Sequence, residues 1–148
     1  MRVSGKRIAL GAAALSSALV IGIAGTASAA VGFHAVSTSG KSEIGGNYEY
    51  KYAGQADTDN PRGGGKNLYD GKFTNASATD RVGGDGVESV LALAYDEYKN
   101  GVWSHKTNVV AVVNGTRTWT FSKKADVKAY ACDRAVNTTR LLNCKAAW

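Results

Sequence analysis

The side chains that could carry chemistry are few, because the 148 residues include only two histidines and two cysteines. His34 and His105 are far apart in the sequence, and neither belongs to a pattern typical of a nucleophile, a general base or a metal ligand. Nucleophile-elbow, zincin and Walker sequences are also absent from the chain. We therefore predict no catalytic residues, no enzymatic activity, and no metal or other cofactor.

Two acidic sequences offer alternatives to that prediction. Asp57 and Asp59 resemble the start of a calcium-binding loop, but Pro61 interrupts the later ligand positions and no closing Glu follows. Asp96 and Glu97 could supply carboxylates for glycoside hydrolysis, but adjacent residues of a strand point to opposite faces of a sheet. We interpret both sequences as solvated charge.

The two cysteines, Cys132 and Cys144, are an even number, which favours one disulfide if the protein is exported to oxidising surroundings. A bridge that closes a loop of about a dozen residues stabilises a fold by roughly 3 kcal/mol in the chain-entropy model. We expect it to hold the C-terminal tail against the preceding strand.

The N-terminus has the pattern of a secretory signal peptide. Residues 1–7 carry three basic side chains and no acid, residues 8–25 are apolar, and small residues surround a cleavage site after Ala29. The alternative, a transmembrane anchor, would be at the short limit for a bilayer span. We predict that residues 1–29 are removed and that the protein is secreted, with no membrane partner.

Cleavage also changes the charge of the chain. Three of its 18 basic residues lie within residues 1–29, whereas all 12 acidic residues follow, so the formal net charge falls from +6 to +3. This modest charge argues against nucleic acid as a partner.

The mature chain divides into two parts by composition. Residues 30–66 are rich in Gly, Ser, Thr and Asn, which predicts a flexible arm. Within it, Tyr48, Tyr50 and Tyr52 alternate with charged residues, the pattern of an edge strand with one aromatic face. Residues 67–148 form the predicted β-domain.

The β-domain is predicted from short apolar runs separated by turn sequences. Asp70-Gly71, Asn100-Gly101 and Asn114-Gly115 suit tight hairpins, and the last of them follows the β-branched run 109–113. Residues 87–98 also fit one face of a helix, but the Asn-Gly turn after them favours a strand. We predict an all-β fold, a small antiparallel sandwich or barrel.

Aromatic residues exceed what a thin core needs, since the chain has three Trp and seven Tyr. Trp103 and Trp119 fit a core, whereas Trp148 either caps the core or stands exposed for a partner. At the new N-terminus, an extended segment could bind in a cleft or add a strand to another protein's sheet. The partner-binding residues that we predict are therefore Val31, Phe33, His34, Val36 and Trp148.

The signal peptide, the Gly-rich mature N-terminus and the closing pattern Ala131-Cys132-Asp133 with Cys144-Lys-Ala-Ala-Trp148 resemble small secreted proteins of actinomycetes such as Streptomyces. Among these, the chain is similar to the adaptor subunit of umbrella toxin particles. The resemblance implies that residues 31–39 occupy a cleft of a trypsin-like, lectin-bearing partner, while the β-domain contacts a large toxin chain.

Two other function classes stay open beside the adaptor. A carbohydrate- or cell-wall-binding module would use surface aromatic side chains, such as Trp103, Tyr95 and Tyr98, on a flat sheet face. A secreted enzyme inhibitor would need a rigid loop, and such loops are usually held by more than one disulfide.

Overall fold

The computed structural model describes residues 29–56 and 65–148, which form antiparallel β-strands with no helix among them. The strands are β1 (Ala29–Val36), β2 (Ser42–Ala56), β3 (Lys66–Asp80), β4 (Val87–Lys99), β5 (Val102–Val113), β6 (Gly115–Ala135) and β7 (Leu141–Ala146). The all-β prediction is confirmed, and the segment that also fitted a helix is strand β4. The predicted signal peptide, apart from Ala29, and the acidic sequence at 57–59 lie outside the described residues.

The strands belong to one sheet in the order β1-β2-β3-β6-β4-β5, and β7 pairs with β6. The long strand β6 joins two halves of this sheet. Its first half, Gly115 to Lys124, pairs with β3, and its second half, Lys124 to Ala135, pairs with β4. β6 therefore carries the chain from one half of the sheet to the other.

The sheet folds back on itself around one main core. Ser42 of β2 donates to Asp133 of β6 at 2.7 Å, and Ser89 of β4 donates to the carbonyl of Glu43 at 3.4 Å, although these strands are not neighbours in the sheet. Six strands supply the buried side chains of this core: Phe33, Ala35, Ile44, Tyr48, Phe73, Ala76, Ala78, Leu91, Leu93, Val112, Ala129 and Ala131. Burial of this apolar surface is the main stabilising term.

The predicted disulfide is present between Cys132 of β6 and Cys144 of β7, with their Cα atoms 4.1 Å apart. A second link between the same strands comes from the buried carboxylate of Asp133. It accepts hydrogen bonds from Ser39 at 2.5 Å and from Asn143 at 2.7 Å, in addition to the one from Ser42. The disulfide and this carboxylate together fix β7 and the β1–β2 connection to the sheet.

The prediction of a flexible arm at 30–66 needs correction where the structure describes it. Residues 29–36 pair along their whole length with 43–50, so the small residues of β1 form a regular strand of the sheet. Phe33 is 7% exposed and packs edge-on against Phe73 of β3. The tyrosine-rich segment lies in β2, between β1 and β3, and is not an edge strand. Paired backbone groups and a buried aromatic anchor hold this segment against the sheet.

Two predicted hairpin turns are also wrong, while the third is correct. Asn100 (φ 52°) and Gly101 (φ 79°) form a tight turn between the paired strands β4 and β5. Asn114-Gly115 instead connects β5 to β6, which are not paired with each other, because Gly115 pairs with β3. Asp70-Gly71 lies inside β3, where a glycine lets a phenylalanine ring approach the backbone closely.

Candidate functional site

An exposed groove lined by aromatic side chains lies where β1, β2 and β3 meet the C-terminus. Its volume is about 440 Å³, and we call it the aromatic groove. The residues that line it are Val31, Tyr48, Tyr50, Tyr69, Asp126, Val127 and Trp148. Because alternate residues of a strand share a face, Tyr48 and Tyr50 both lie on the groove side of β2.

Stacked rings hold the groove in shape. The ring of Tyr48 stacks on Trp148 at 5.3 Å and on Phe73 at 4.8 Å between centroids. The indole N–H of Trp148 donates to the carbonyl of Val127 at 3.0 Å, which fixes the last residue to β6. Burial is the main cause that raises the pKa of Tyr48 to about 12, so its hydroxyl is neutral at pH 7. Tyr48 therefore contributes no charge to the groove at that pH.

Exposed apolar side chains border the groove. Val31 is 47% exposed and Trp148 is 41% exposed. Tyr52, which is 52% exposed, extends the same tyrosine row and meets Tyr69 at 6.3 Å. Trp148 therefore has both of the roles that the sequence allowed. It caps the core by covering aromatic rings on one side, and it stands exposed to solvent on the other.

The structure brings together three of the five predicted partner-binding residues. Val31 and Trp148 line the groove, and Phe33 lies beneath it, 5.4 Å from the Trp148 ring. His34 is on the opposite face of β1, where its Nε2 contacts Glu43 at 2.7 Å. Val36 is half-buried and also lies on the opposite face from Val31. His34 and Val36 are thus outside the groove.

A second concave region, which we call the polar cleft, lies on the outer face of β4, β5 and the second half of β6. Its volume is about 790 Å³, and Asp126 lines both this cleft and the aromatic groove. Asp96, which is 9% exposed, accepts a hydrogen bond from Nδ1 of His105 at 2.5 Å. Nζ of Lys66 contacts Asp96 and also Asp126, the latter at 2.6 Å.

Opposite charges in the polar cleft stabilise one another. The hydrogen bond from Lys66 is the largest cause that holds the pKa of Asp96 below its ordinary value, and it outweighs burial. In turn, Asp126 and then Asp96 raise the pKa of Lys66 to about 12. Asp96 and Lys66 are therefore charged at neutral pH, and the contact with Asp96 leaves Nε2 of His105 as the other ring nitrogen for a ligand.

The contact between His105 and Asp96 was not predicted from the sequence. The signal that would have found it is the Asn100-Gly101 turn, because counting outward from that turn pairs Lys99 with Val102 and Asp96 with His105. Lys66 enters the cleft from β3, a strand that does not pair with β4. No local pattern predicts that part of the cluster.

Within residues 29–56 and 65–148, no helix is long and apolar enough to cross a membrane. The same part of the chain contains no group of three or more His, Cys, Asp or Glu side chains arranged to hold a metal ion. Comparison with protein-family models, with curated proteins and with solved structures finds no match to this chain.

Proposed function

We propose that this chain is a secreted, non-catalytic protein-interaction module and that the aromatic groove is its contact surface. The observation that carries the proposal is the contiguity of Val31, Tyr50, Tyr69 and Trp148 in one exposed groove. Single exposed apolar residues are normal on a soluble protein, whereas a contiguous apolar patch is typical of an interaction site.

The construction of the groove favours a protein as the partner. Trp and Tyr are enriched among the residues that dominate binding energy in protein interfaces. In this groove the rings already stack on one another, so little side-chain entropy remains to be lost on binding. A partner would therefore meet a preformed apolar surface.

The neighbouring strand β1 adds a second means of contact. Among the described strands β1 pairs with β2 alone, and its sequence has no Lys, Pro or acid, which are the residues that usually protect an edge. An extended segment of a partner can pair with such an edge through main-chain hydrogen bonds while its side chains enter the groove.

Three further features support the rest of the proposal. Both carboxylates of the polar cleft are engaged by Lys66 or His105, as expected of a structural network. A disulfide is typical of exported proteins, which supports secretion and the signal peptide prediction. The adaptor role, with a trypsin-like lectin-bearing protein and a large toxin chain as partners, rests on the sequence resemblance alone and would place β1 against the first of them.

Two matched variants test the groove. Val31→Asp places a charge in the groove, and Val82→Asp places the same charge on a valine of similar exposure, 53% against 47%, in the β3–β4 connection. Each mature chain is used to capture proteins from the culture supernatant of the organism that encodes it, after circular dichroism shows equal stability.

We expect the Val82→Asp chain to capture the same protein as the wild type and the Val31→Asp chain to lose it, with mass spectrometry as the readout. A desolvated carboxylate in an apolar contact is strongly unfavourable, which is the reason for the loss. Equal capture by all three chains would show that the partner does not use the groove.

The polar cleft favours a second candidate, saccharide binding. Its ring nitrogen, carboxylates and the half-buried Tyr130 offer donors, acceptors and an aromatic surface in one concavity. Titration of the ¹⁵N-labelled chain with chitotriose and with maltotriose tests this candidate. Shifts at the amide of Asp96 that are lost in His105→Ala would support it, and unchanged spectra with both sugars would eliminate binding of these saccharides.

A further inference from the structure

A third concavity opens between β5 and the first half of β6, two segments that are not paired with each other. We call it the apolar pocket, and its volume is about 230 Å³. Leu93 and Val109 form one wall, and Trp119 and Phe121 form the other. These side chains also pack against the main core, so the pocket is an unfilled extension of that core.

Two cations stand at this pocket, each over an aromatic ring. The guanidinium carbon of Arg117 lies 5.8 Å from the Trp119 ring, and Nζ of Lys124 lies 4.9 Å from the Tyr95 ring. Lys124 is paired with Glu97, whereas Arg117 forms no salt bridge within the described part of the chain. No carboxylate is among the described residues that line the pocket. The pocket is thus apolar inside and positive where Arg117 stands.

The volume limits what can enter. A cavity of about 150 Å³ accommodates benzene, and drug-sized ligands need about 300 Å³ or more. The pocket, at about 230 Å³, therefore suits one large side chain. The fixed fork of an arginine matches a carboxylate, with which it can form two parallel hydrogen bonds.

From this geometry we propose that the apolar pocket binds the C-terminal residue of a partner protein, with an aromatic side chain inside and the terminal carboxylate on Arg117. A C-terminal residue carries its side chain and its carboxylate on the same Cα. The two groups are therefore close together, as required when Arg117 stands over the Trp119 ring that forms the pocket wall. The inference rests on the proposed function only in that the partner is a protein. The aromatic and charged residues that line the apolar pocket are different from those that line the aromatic groove.

The test uses three probes and the full mature chain. The first probe is acetyl-Gly-Gly-Phe with a free carboxylate, the second is the same peptide with a C-terminal amide, and the third is phenylacetate. Calorimetry measures affinity, and the ¹⁵N amide signals of Val109 and Ala111 report whether the probe enters the pocket. We expect the free-carboxylate peptide to bind about tenfold or more tightly than the amide, as a charge-assisted bond to Arg117 requires.

Variants assign that preference to one side chain. Arg117→Gln should abolish the preference for the carboxylate while the protein stays folded, because Arg117 is exposed. Arg140→Gln, a change at another exposed arginine that does not line the pocket, should leave both affinities as in the wild type.

Three results would overturn the inference. Equal affinity for peptide acid and amide would remove the role of the carboxylate, and the absence of signal changes at Val109 and Ala111 would remove the pocket. Phenylacetate binding as tightly as the peptide acid would assign the pocket to small free acids instead of a chain end. None of these results affects the capture experiment with Val31→Asp, so the two proposals fail separately.

Discussion

Truncation of the last side chain, Trp148→Ala, should cost a large part of the stability of this small domain. In the folded chain the indole ring stacks on Tyr48 and lies 5.4 Å from Phe33, while its N–H donates to Val127. The substitution removes these contacts together and exposes the rings beneath. It also removes the side chain that anchors the C-terminal residue to β6.

The magnitude follows from the buried fraction of the residue. Trp148 is 41% exposed. A fully buried tryptophan covers about 250 Å², so about 150 Å² is buried here, and about 25 cal/mol per Å² gives about 4 kcal/mol. Because real denatured chains already bury part of this surface, the estimate falls to about 2 to 3 kcal/mol.

Equilibrium unfolding in urea, followed by far-ultraviolet circular dichroism with the disulfide intact, measures this loss. The midpoint should fall while the slope m stays constant, as for a change in stability alone. Trp148→Phe is the matched control: it keeps a ring over Tyr48 and lacks the indole N–H, so we expect a loss of about 1 kcal/mol. A loss below about 0.5 kcal/mol for Trp148→Ala would refute the packing role, because that is the range of ordinary surface substitutions.

Three further predictions concern the links that hold the sheet together. Burial alone would raise the pKa of Asp133, but the hydrogen bonds to its carboxylate hold that pKa below the ordinary value. The carboxylate therefore stabilises the fold above about pH 4, and this stabilisation is lost as the pH falls through the folded pKa. Asp133→Asn should therefore be less stable than wild type at pH 7 by about 1 to 3 kcal/mol, with a difference that shrinks below pH 4 in urea titrations; a constant difference would contradict this. Replacing Cys132 and Cys144 together by Ser should lower the unfolding free energy by about 3 kcal/mol, and an unchanged midpoint would show that the bridge contributes nothing. Gly71→Ala should cost about 1 to 3 kcal/mol, because an added Cβ would lie 2.2 Å from a phenylalanine ring carbon, whereas Gly32→Ala, with its nearest atom at 3.8 Å, should be neutral in the same thermal unfolding assay.

Local pattern was sufficient to predict the class of fold. Alternation of apolar and polar residues and an abundance of β-branched side chains predicted strands, and the ambiguous run 87–98 is strand β4. The number of cysteines predicted the bridge between Cys132 and Cys144. These features depend on residue type and on short spacing, which a sequence shows directly.

Local pattern is also sufficient to predict one contact of the polar cleft, the one between Asp96 and His105. The turn at Asn100-Gly101 determines the register of β4 and β5, and this register places Asp96 opposite His105. The third member, Lys66, comes from β3, which β6 separates from β4 in the sheet, so its approach depends on how the whole sheet curves.

The partner of each strand was decided only by the tertiary structure. Residues 30–56 are poor in bulky apolar side chains and resembled a flexible arm, yet they pair as β1 and β2 because Phe33 and Ile44 reach a core built by distant strands. The Asn114-Gly115 sequence suits a hairpin, but among the described strands β5 pairs with β4 alone, and β6 continues to β3.

The aromatic groove, like the pairing of the strands, was decided only by the tertiary structure. The sequence by itself determined that Val31 and Trp148 are apolar residues far apart in the chain. Only the folded sheet places them on either side of the Tyr48 ring. The physical reason is that strand formation depends on short-range pattern, whereas strand pairing is selected by burial of side chains from segments far apart in the chain.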